Sequence, residues 1–413
     1  MMKRLVFSVI CLFMTLASLA QMPELTLEQH LEDYDLAVKY IEDNYAGFPD
    51  KVVDSTRADY EAMKTRLREQ VVNGERPGYD AVAEYTAWFN DYHTRLCRDE
   101  VDSQGNWRQY NDRYWTRKTI NYDALMEEYN PTPVACKVTD KTFLIRFPSC
   151  YGDPDMEWIE GSIQQFIGSG CEHLILDIRG NGGGGDDLWG PYWELLANHD
   201  GEIPDVEFRN TPANRDTLLS WCDSQELQDE MINRINEEVF LKIEHMQFIP
   251  GSLIRMIWGL MRHPATASFR MMAIQGKLYR PESIPTTIPL HVGKMNGAIH
   301  KAALIIDNGV GSSGEELVRE LRAASDRTTI YGRDNTLGCL DYSNVTEVEL
   351  PNSGIYFMVP MSRRVGLPET GIDATGIAPD VRITLPLPAR LTDNIDEWVI
   401  WVAEQLEKQT SHF

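Results

Sequence analysis

The chain has 413 residues, of which 43% are hydrophobic and 10% aromatic. That is enough apolar material for two domains or one elaborated domain, and it argues against disorder. The formal net charge of −24 argues against nucleic acid and anionic lipid as partners. The seven cysteines include no Cys-x-x-Cys pair and the nine histidines no His-Glu-x-x-His set, so no zinc site is expected and no disulfide framework is read from the spacing.

Residues 1–20 have the layout of a secretory signal. Lys3 and Arg4 supply the charged start, Leu5 to Leu16 the apolar stretch, and Ser18, Leu19 and Ala20 a small-residue cleavage site. Cleavage there leaves a mature charge of −26 and no membrane attachment, since no other stretch is long and apolar enough to span a bilayer. Periplasm and cell exterior are both compatible with such export.

Residues 21–130 are expected to form a helical region. Leu25 to Tyr45, Tyr60 to Val72 and Tyr79 to Asn90 each carry apolar positions at helical spacing, and the last of them delivers Asp91, Tyr92, His93 and Thr94. A histidine after a helix is ordinarily a surface or capping residue. Its imidazole, titrating near neutrality, is also the side chain best suited to take a proton from a hydroxyl.

Residues 131–413 are expected to form an α/β core. Thr142 to Phe147 and His173 to Ile178 read as strands, with an amphipathic helix from Met156 to Ile167 between them, a β-α-β signature. The second strand runs into Arg179 and then a glycine string from Gly180 to Gly185, interrupted only by Asn181. Such a string brings bare backbone N–H groups close to a ligand. It also satisfies the G-x-G-x-x-G spacing of dinucleotide-binding turns. Asp177 and Arg179 intrude before the glycines, however, and no second strand ends in an acid at the required distance.

From about 211 to 290 the pattern is a helical insertion, either a lid or self-association surface or a helical piece packing on its own core. After it, Ala303 to Ile306 is a short, continuously apolar run, as expected of a strand buried on both faces. It breaks into Asp307 to Gly314, and a helical pattern follows from Glu316. Ser312 or Ser313 therefore lies where a strand end exposes side chains and a helix start favours negative charge. A nucleophilic hydroxyl fits there. So does a capping box, because Ser312 with Glu315 and Ser313 with Glu316 both have its spacing. Thr328 to Gly332, Val345 to Leu350 and Gly354 to Met361 read as further strands, and Asp393 to Lys408 as a closing helix.

In this order four segments resemble the family of C-terminal processing (tail-specific) and tricorn-type serine peptidases: Leu174–Gly184, Leu304–Glu316, Tyr331–Gly338 and Gly376–Val381. The resemblance spans roughly 141–383 apart from the insertion. It implies a crotonase-like core of β-α-β units, a peptide or protein substrate and no cofactor or metal. Aligning Glu316 with the acid that follows the family's nucleophile puts the attacking hydroxyl on Ser313. The oxyanion hole would be the N–H of Gly314 with that of Gly183 or Gly182.

Two departures matter. Tail-specific members carry a lysine base at the position that aligns with Cys339, and this chain has no lysine between Lys301 and Lys408. The tricorn-type branch uses a histidine from an upstream helical region, and Asp91-Tyr92-His93-Thr94 resembles the Asp-Gly-His-Thr found there. The resemblance thus implies His93 as base, with Asp373 first and Asp341 second as its supporting acid. No Gly-Leu-Gly loop of a peptide-binding PDZ module stands between the helical region and the core. The expected function is an exported serine endopeptidase. A peptide-binding relative without catalysis is the alternative, and an esterase on the same machinery a third.

Overall fold

The computed structural model describes residues 24–101, 107–115, 133–150, 154–222, 228–262, 267–293, 299–386, 388 and 395–410. The secretory-signal segment, 1–20, lies outside the described residues. The chain divides into two compact units: one comprises 1–116, 208–221 and 344–363, the other 117–207, 222–343 and 364–413.

In chain order, the described elements that matter here begin with helices α1 (Leu27–Asn44), α2 (Arg57–Val72) and α3 (Gly78–Trp88), then strand β1 (Arg95–Cys97). Next come β2 (Val134–Lys137), β3 (Thr142–Arg146), α4 (Met156–Ser169), β4 (His173–Asp177), α5 (Gly190–Leu196) and β5 (Gly201–Pro204). The insertion supplies α6 (Pro212–Ser220), α7 (Gln228–Glu238), α8 (Gly251–Arg262) and α9 (Ala267–Leu278), and β6 (Thr287–Leu290) closes it. The remainder is β7 (Lys301–Ile306), α10 (Ser313–Ala324), β8 (Thr328–Gly332), β9 (Tyr342–Glu349), β10 (Tyr356–Arg364), β11 (Val381–Arg382) and α11 (Glu397–Thr410).

The first unit is built on α1–α3. Thr26 opens α1 with a complete capping box to Gln29. The helices bury Tyr34, Ala37 and Ile41, then Tyr60 and Leu67, then Val82 and Tyr85. Their aromatic rings meet edge to face, as Tyr34 does on Tyr85 at 6.1 Å. In the same unit β1 pairs antiparallel with β10, and the buried Asp33 carboxylate accepts from the Asn352 and Ser353 amides at 2.9 and 3.0 Å, fixing the β9–β10 turn.

The second unit holds a six-stranded sheet in the order β11–β8–β7–β4–β3–β2, parallel except for β2. The unbroken apolar runs follow from cover on both faces. Ala302, Leu304 and Ile306 face a core made with α4 and α10. Ala303 and Ile305 face one made with Trp398, Val399, Val402 and Leu406 of α11. The β2 strand carries no clear sequence signal, being a short edge strand. At the foot of the insertion β5 pairs antiparallel with β6, in register Gly201↔Leu290. Just after β5, the buried Asp205 carboxylate accepts from Ser252 N at 3.0 Å and pairs with Arg255 at 2.7 Å at the start of α8.

The carboxyl end of β4 is secured by buried charge. Asp177 pairs with Arg146 at 2.7 Å and Arg179 at 2.6 Å, and Asp396, which caps α11 by accepting from Trp398 N, pairs with Arg179 at 2.7 Å. Burial alone would raise the Asp177 carboxyl, but the two guanidiniums hold it well below the usual carboxylate range. A depressed pKa contributes stability that is present above the unfolded value of 3.8 and is lost as pH falls below it. Asp177→Asn should therefore cost about 3–5 kcal/mol near neutrality and leave a shallower loss of stability on acidification, read from urea unfolding at neutral pH and below pH 4.

Candidate active site

Two loops leave the carboxyl ends of adjacent parallel strands, β4 and β7, where Leu304 is in register with Leu176 and Ile305 with Asp177. Strand ends of this kind are where α/β sheets commonly present functional groups. The buried Asp307 carboxylate ties the loops together, accepting from Gly309 N at 2.8 Å in its own loop and Gly180 N at 3.0 Å in the other. Gly311 N then donates to Asn181 O at 3.0 Å.

Between Gly311 and Gly314 the chain makes a type II′-like turn, with Gly314 N donating to Gly311 O at 2.9 Å and Ser312 at φ 50°, ψ −120°. That conformation suits glycine; a serine there stores about 1–3 kcal/mol of strain. The turn places Ser313 as the first residue of α10 with its side chain buried.

Neither capping box forms. A capping residue needs extended backbone, and Ser312 has positive φ and no side-chain cap bond. Glu315 turns away, accepting from Thr336 Oγ1 at 2.5 Å, Gly338 N at 2.7 Å and Cys339 N at 2.9 Å. Burial pushes its carboxyl above the ordinary range, with those donors opposing the rise. Glu316 pairs with Arg364 at 2.7 Å. The two acids thus hold neighbouring segments against α10.

The glycine string is needed for shape as well as for its amides. Gly183 and Gly184 have φ of 97° and 136°. A Cβ on Gly183 would lie 2.7 Å from Ser312 Cβ and 2.9 Å from Ser313 N, and one on Gly184 would lie 2.5 Å from Cys150 O. Asn181 fixes the loop from inside, donating from Nδ2 to Phe147 O and accepting from Gly183 N, both at 3.0 Å. Of the expected oxyanion donors, Gly183 N is thus engaged with Asn181 and Gly314 N with Gly311. Gly182 is exposed, and its N–H has no acceptor among the described residues.

Around Ser313, Trp189 donates from Nε1 to Oγ at 3.2 Å, and the neighbouring Cys150 thiol donates to Asn181 Oδ1 at 3.5 Å. Burial pushes that thiol up to about 11 against the opposing Asn181 and Ser313 bonds, so it remains a neutral partner. Cys339, at the position aligned with the lysine base, accepts from Ser312 N through its sulfur at 3.2 Å. None of Cys97, Cys136, Cys150, Cys171, Cys222 and Cys339 is in a disulfide.

The two candidate acids lie together. Asp341 accepts from Ile372 N at 2.7 Å and Asp373 N at 2.8 Å, and its own N–H donates to Asp373 Oδ1 at 3.1 Å. Ala374 N to Gly338 O, at 3.0 Å, holds this pair of loops beside the Glu315 anchor. His93 belongs to the first unit, in the turn between α3 and β1. The buried Asp91 explains the Asp-x-His-Thr sequence there: its carboxylate accepts from His93 N at 3.0 Å and from Tyr45 OH and Thr94 Oγ1, both at 2.8 Å. Ser313, Gly314, Gly182 and Gly183 therefore share one neighbourhood, Asp341 and Asp373 another linked to it, and His93 lies in the other unit.

Sequence reasoning missed Trp189, Cys150 and the anchoring role of Glu315. Trp189, Trp193 and Leu196 share helical spacing, which carries no sign of a bond to Ser313, and nothing in the spacing of Glu315 distinguishes a tertiary acceptor from a capping residue. Glu315→Ala should strand one hydroxyl and two backbone donors in the interior and lower stability by about 3 kcal/mol, measured by urea unfolding followed by circular dichroism.

No curated protein sequence matches the chain significantly. Among solved structures, mature CPAF in complex with lactacystin aligns at TM-score 0.55 and 13% identity, covering 93% of this chain and 97% of that one. A candidate peptidase from Parabacteroides merdae ATCC 43184 aligns at TM-score 0.50 and 15% identity, covering 85% and 89%. These likenesses are of fold. The profile of Peptidase family S41 matches residues 141–383, more than half of the sequence, and takes in both loops of the site. The chain belongs to Peptidase family S41, the serine peptidases with a crotonase-like core.

Proposed function

We propose that this chain is an exported serine endopeptidase in which Ser313 is the nucleophile and His93 the general base. The observation that carries the proposal is the seating of Ser313. Its hydroxyl stands on the first residue of α10 at the carboxyl end of a buried parallel strand, against a loop so close that Gly183 has no room for a Cβ.

In the proposed mechanism His93 takes the Ser313 proton as Oγ attacks the scissile carbonyl carbon, and the imidazolium then protonates the departing amine. Water hydrolyses the acyl-enzyme by the same proton route in reverse. The developing oxyanion is met first by Gly182 N–H, with the Gly314 or Gly183 amide as second donor once substrate competes for its internal bond. Asp373 is the acid proposed to support the imidazolium, with Asp341 holding the loop that carries it. Export rests on the pattern of residues 1–20, and periplasm or cell exterior is the proposed location. Peptides or proteins are the substrates this family affiliation implies.

The internal bonds of Gly314 and Gly183 favour one competing function, a peptide-binding relative without turnover. A fluorophosphonate serine probe distinguishes the two. The mature protein should label, Ser313→Ala should abolish labelling, and His93→Ala should slow it by about a thousandfold or more. A folded wild type that does not label would favour the binding protein. Undiminished labelling of His93→Ala would remove His93 from the mechanism.

A further inference from the structure

We infer that Trp189 is a dedicated hydrogen-bond donor to the nucleophile, activating Ser313 through its indole N–H. The inference rests on Ser313 being the nucleophile, as proposed above. Trp189 ends the short helical turn after the glycine string and is 3% exposed, and its Nε1 lies 3.2 Å from Ser313 Oγ. Its ring packs edge to face on Phe147 at 5.1 Å and beside Tyr192 at 6.4 Å, with Gly314 leaving room next to it. The indole is thus held in one orientation by the Phe147 and Tyr192 rings, which have no part in the chemistry.

The chemistry follows from the direction of this bond. An indole N–H can donate and cannot accept. The contact therefore fixes Ser313 Oγ as acceptor toward Trp189, and the hydroxyl's own proton must point elsewhere. In this structure Cys150 is its neighbour; during reaction a base must take that place. A serine, tyrosine or histidine at 189 could turn and accept that proton, competing with the base, and tryptophan cannot. As Oγ loses its proton it gains negative charge in a buried, low-dielectric setting, where a preorganised donor strengthens. The same donor faces Oγ when the acyl-enzyme breaks down and Ser313 becomes the leaving group. Asn181, which bonds both the Cys150 thiol and Gly183 N, joins this arrangement to the glycine loop.

The test uses the full mature protein and a fluorophosphonate probe. Ser313 Oγ forms the bond to phosphorus, fluoride leaves with the P–F electron pair, and the serine proton passes to the base. Trp189→Phe removes the donor, and benzothienylalanine at 189 replaces the N–H by sulfur while keeping the bicyclic shape. With folding verified by thermal melts, both should lower the maximal labelling rate by about ten- to a hundredfold, leave the half-saturating probe concentration unchanged, and keep the midpoint of the pH–rate profile in place. If Trp189→Phe does not fold, the benzothienylalanine protein decides alone. A folded benzothienylalanine protein that labels as fast as wild type, or faster, overturns the inference. So does a shifted profile midpoint with an unchanged plateau, which would place the effect on the base. A wild type that does not label removes the nucleophile itself, a separate failure that takes the inference with it.

Discussion

No atom larger than hydrogen fits on the Cα of Gly183, and the geometry of the site depends on that. The loops after β4 and β7 can converge because one of them is nearly bare backbone where the other turns. Asp307, reaching across to Gly180 N, and Asn181, accepting from Gly311 N, then lock the approach with hydrogen bonds that neither loop could make alone. Once the loops are fixed, the strained turn at Ser312 follows, since the chain must reverse within one residue to start α10. The strain sits next to the proposed nucleophile and is carried by a sheet buried on both sides, a rigid support for an unfavourable local conformation.

Buried charge reinforces this frame from two directions. The Asp177, Arg146, Arg179 and Asp396 cluster joins the ends of β3 and β4 to the start of α11, so the strand feeding the glycine string is held by the closing helix. Glu315 pulls Thr336 to Cys339 against α10 from the other side. The guanidiniums more than offset desolvation at Asp177, whereas at Glu315 the three donors oppose the cost of burial without cancelling it. The Asp341 and Asp373 loops rest on the second of them through Gly338 and Ala374.

Where the resemblance to tail-specific peptidases implies a lysine, this chain carries Cys339, whose sulfur accepts from Ser312 N. Beside Ser313 stand a donor, Trp189, and a neutral thiol, Cys150. In the proposed mechanism proton removal falls to His93, held in the Asp91–Thr94 turn of the other unit.

Much of this was legible in the residues themselves. The strands Thr142–Arg146, His173–Asp177 and Lys301–Ile306 follow from apolar runs that only a doubly covered sheet can bury, and the helices α1–α4 and α11 from apolar spacing with a period near 3.6. The glycine string stands out because consecutive glycines bring bare backbone N–H groups close to a ligand, and the Ser312–Ser313 turn because a buried strand there breaks into small residues before a helix. The identity of Glu315's partners, the donor at Trp189, the thiol at Cys150 and the antiparallel edge strand β2 were decided by tertiary structure. Local periodicity records which face of an element is apolar. It does not record which polar group from 20 or 120 residues away will meet it, because that depends on where parallel strands place their ends.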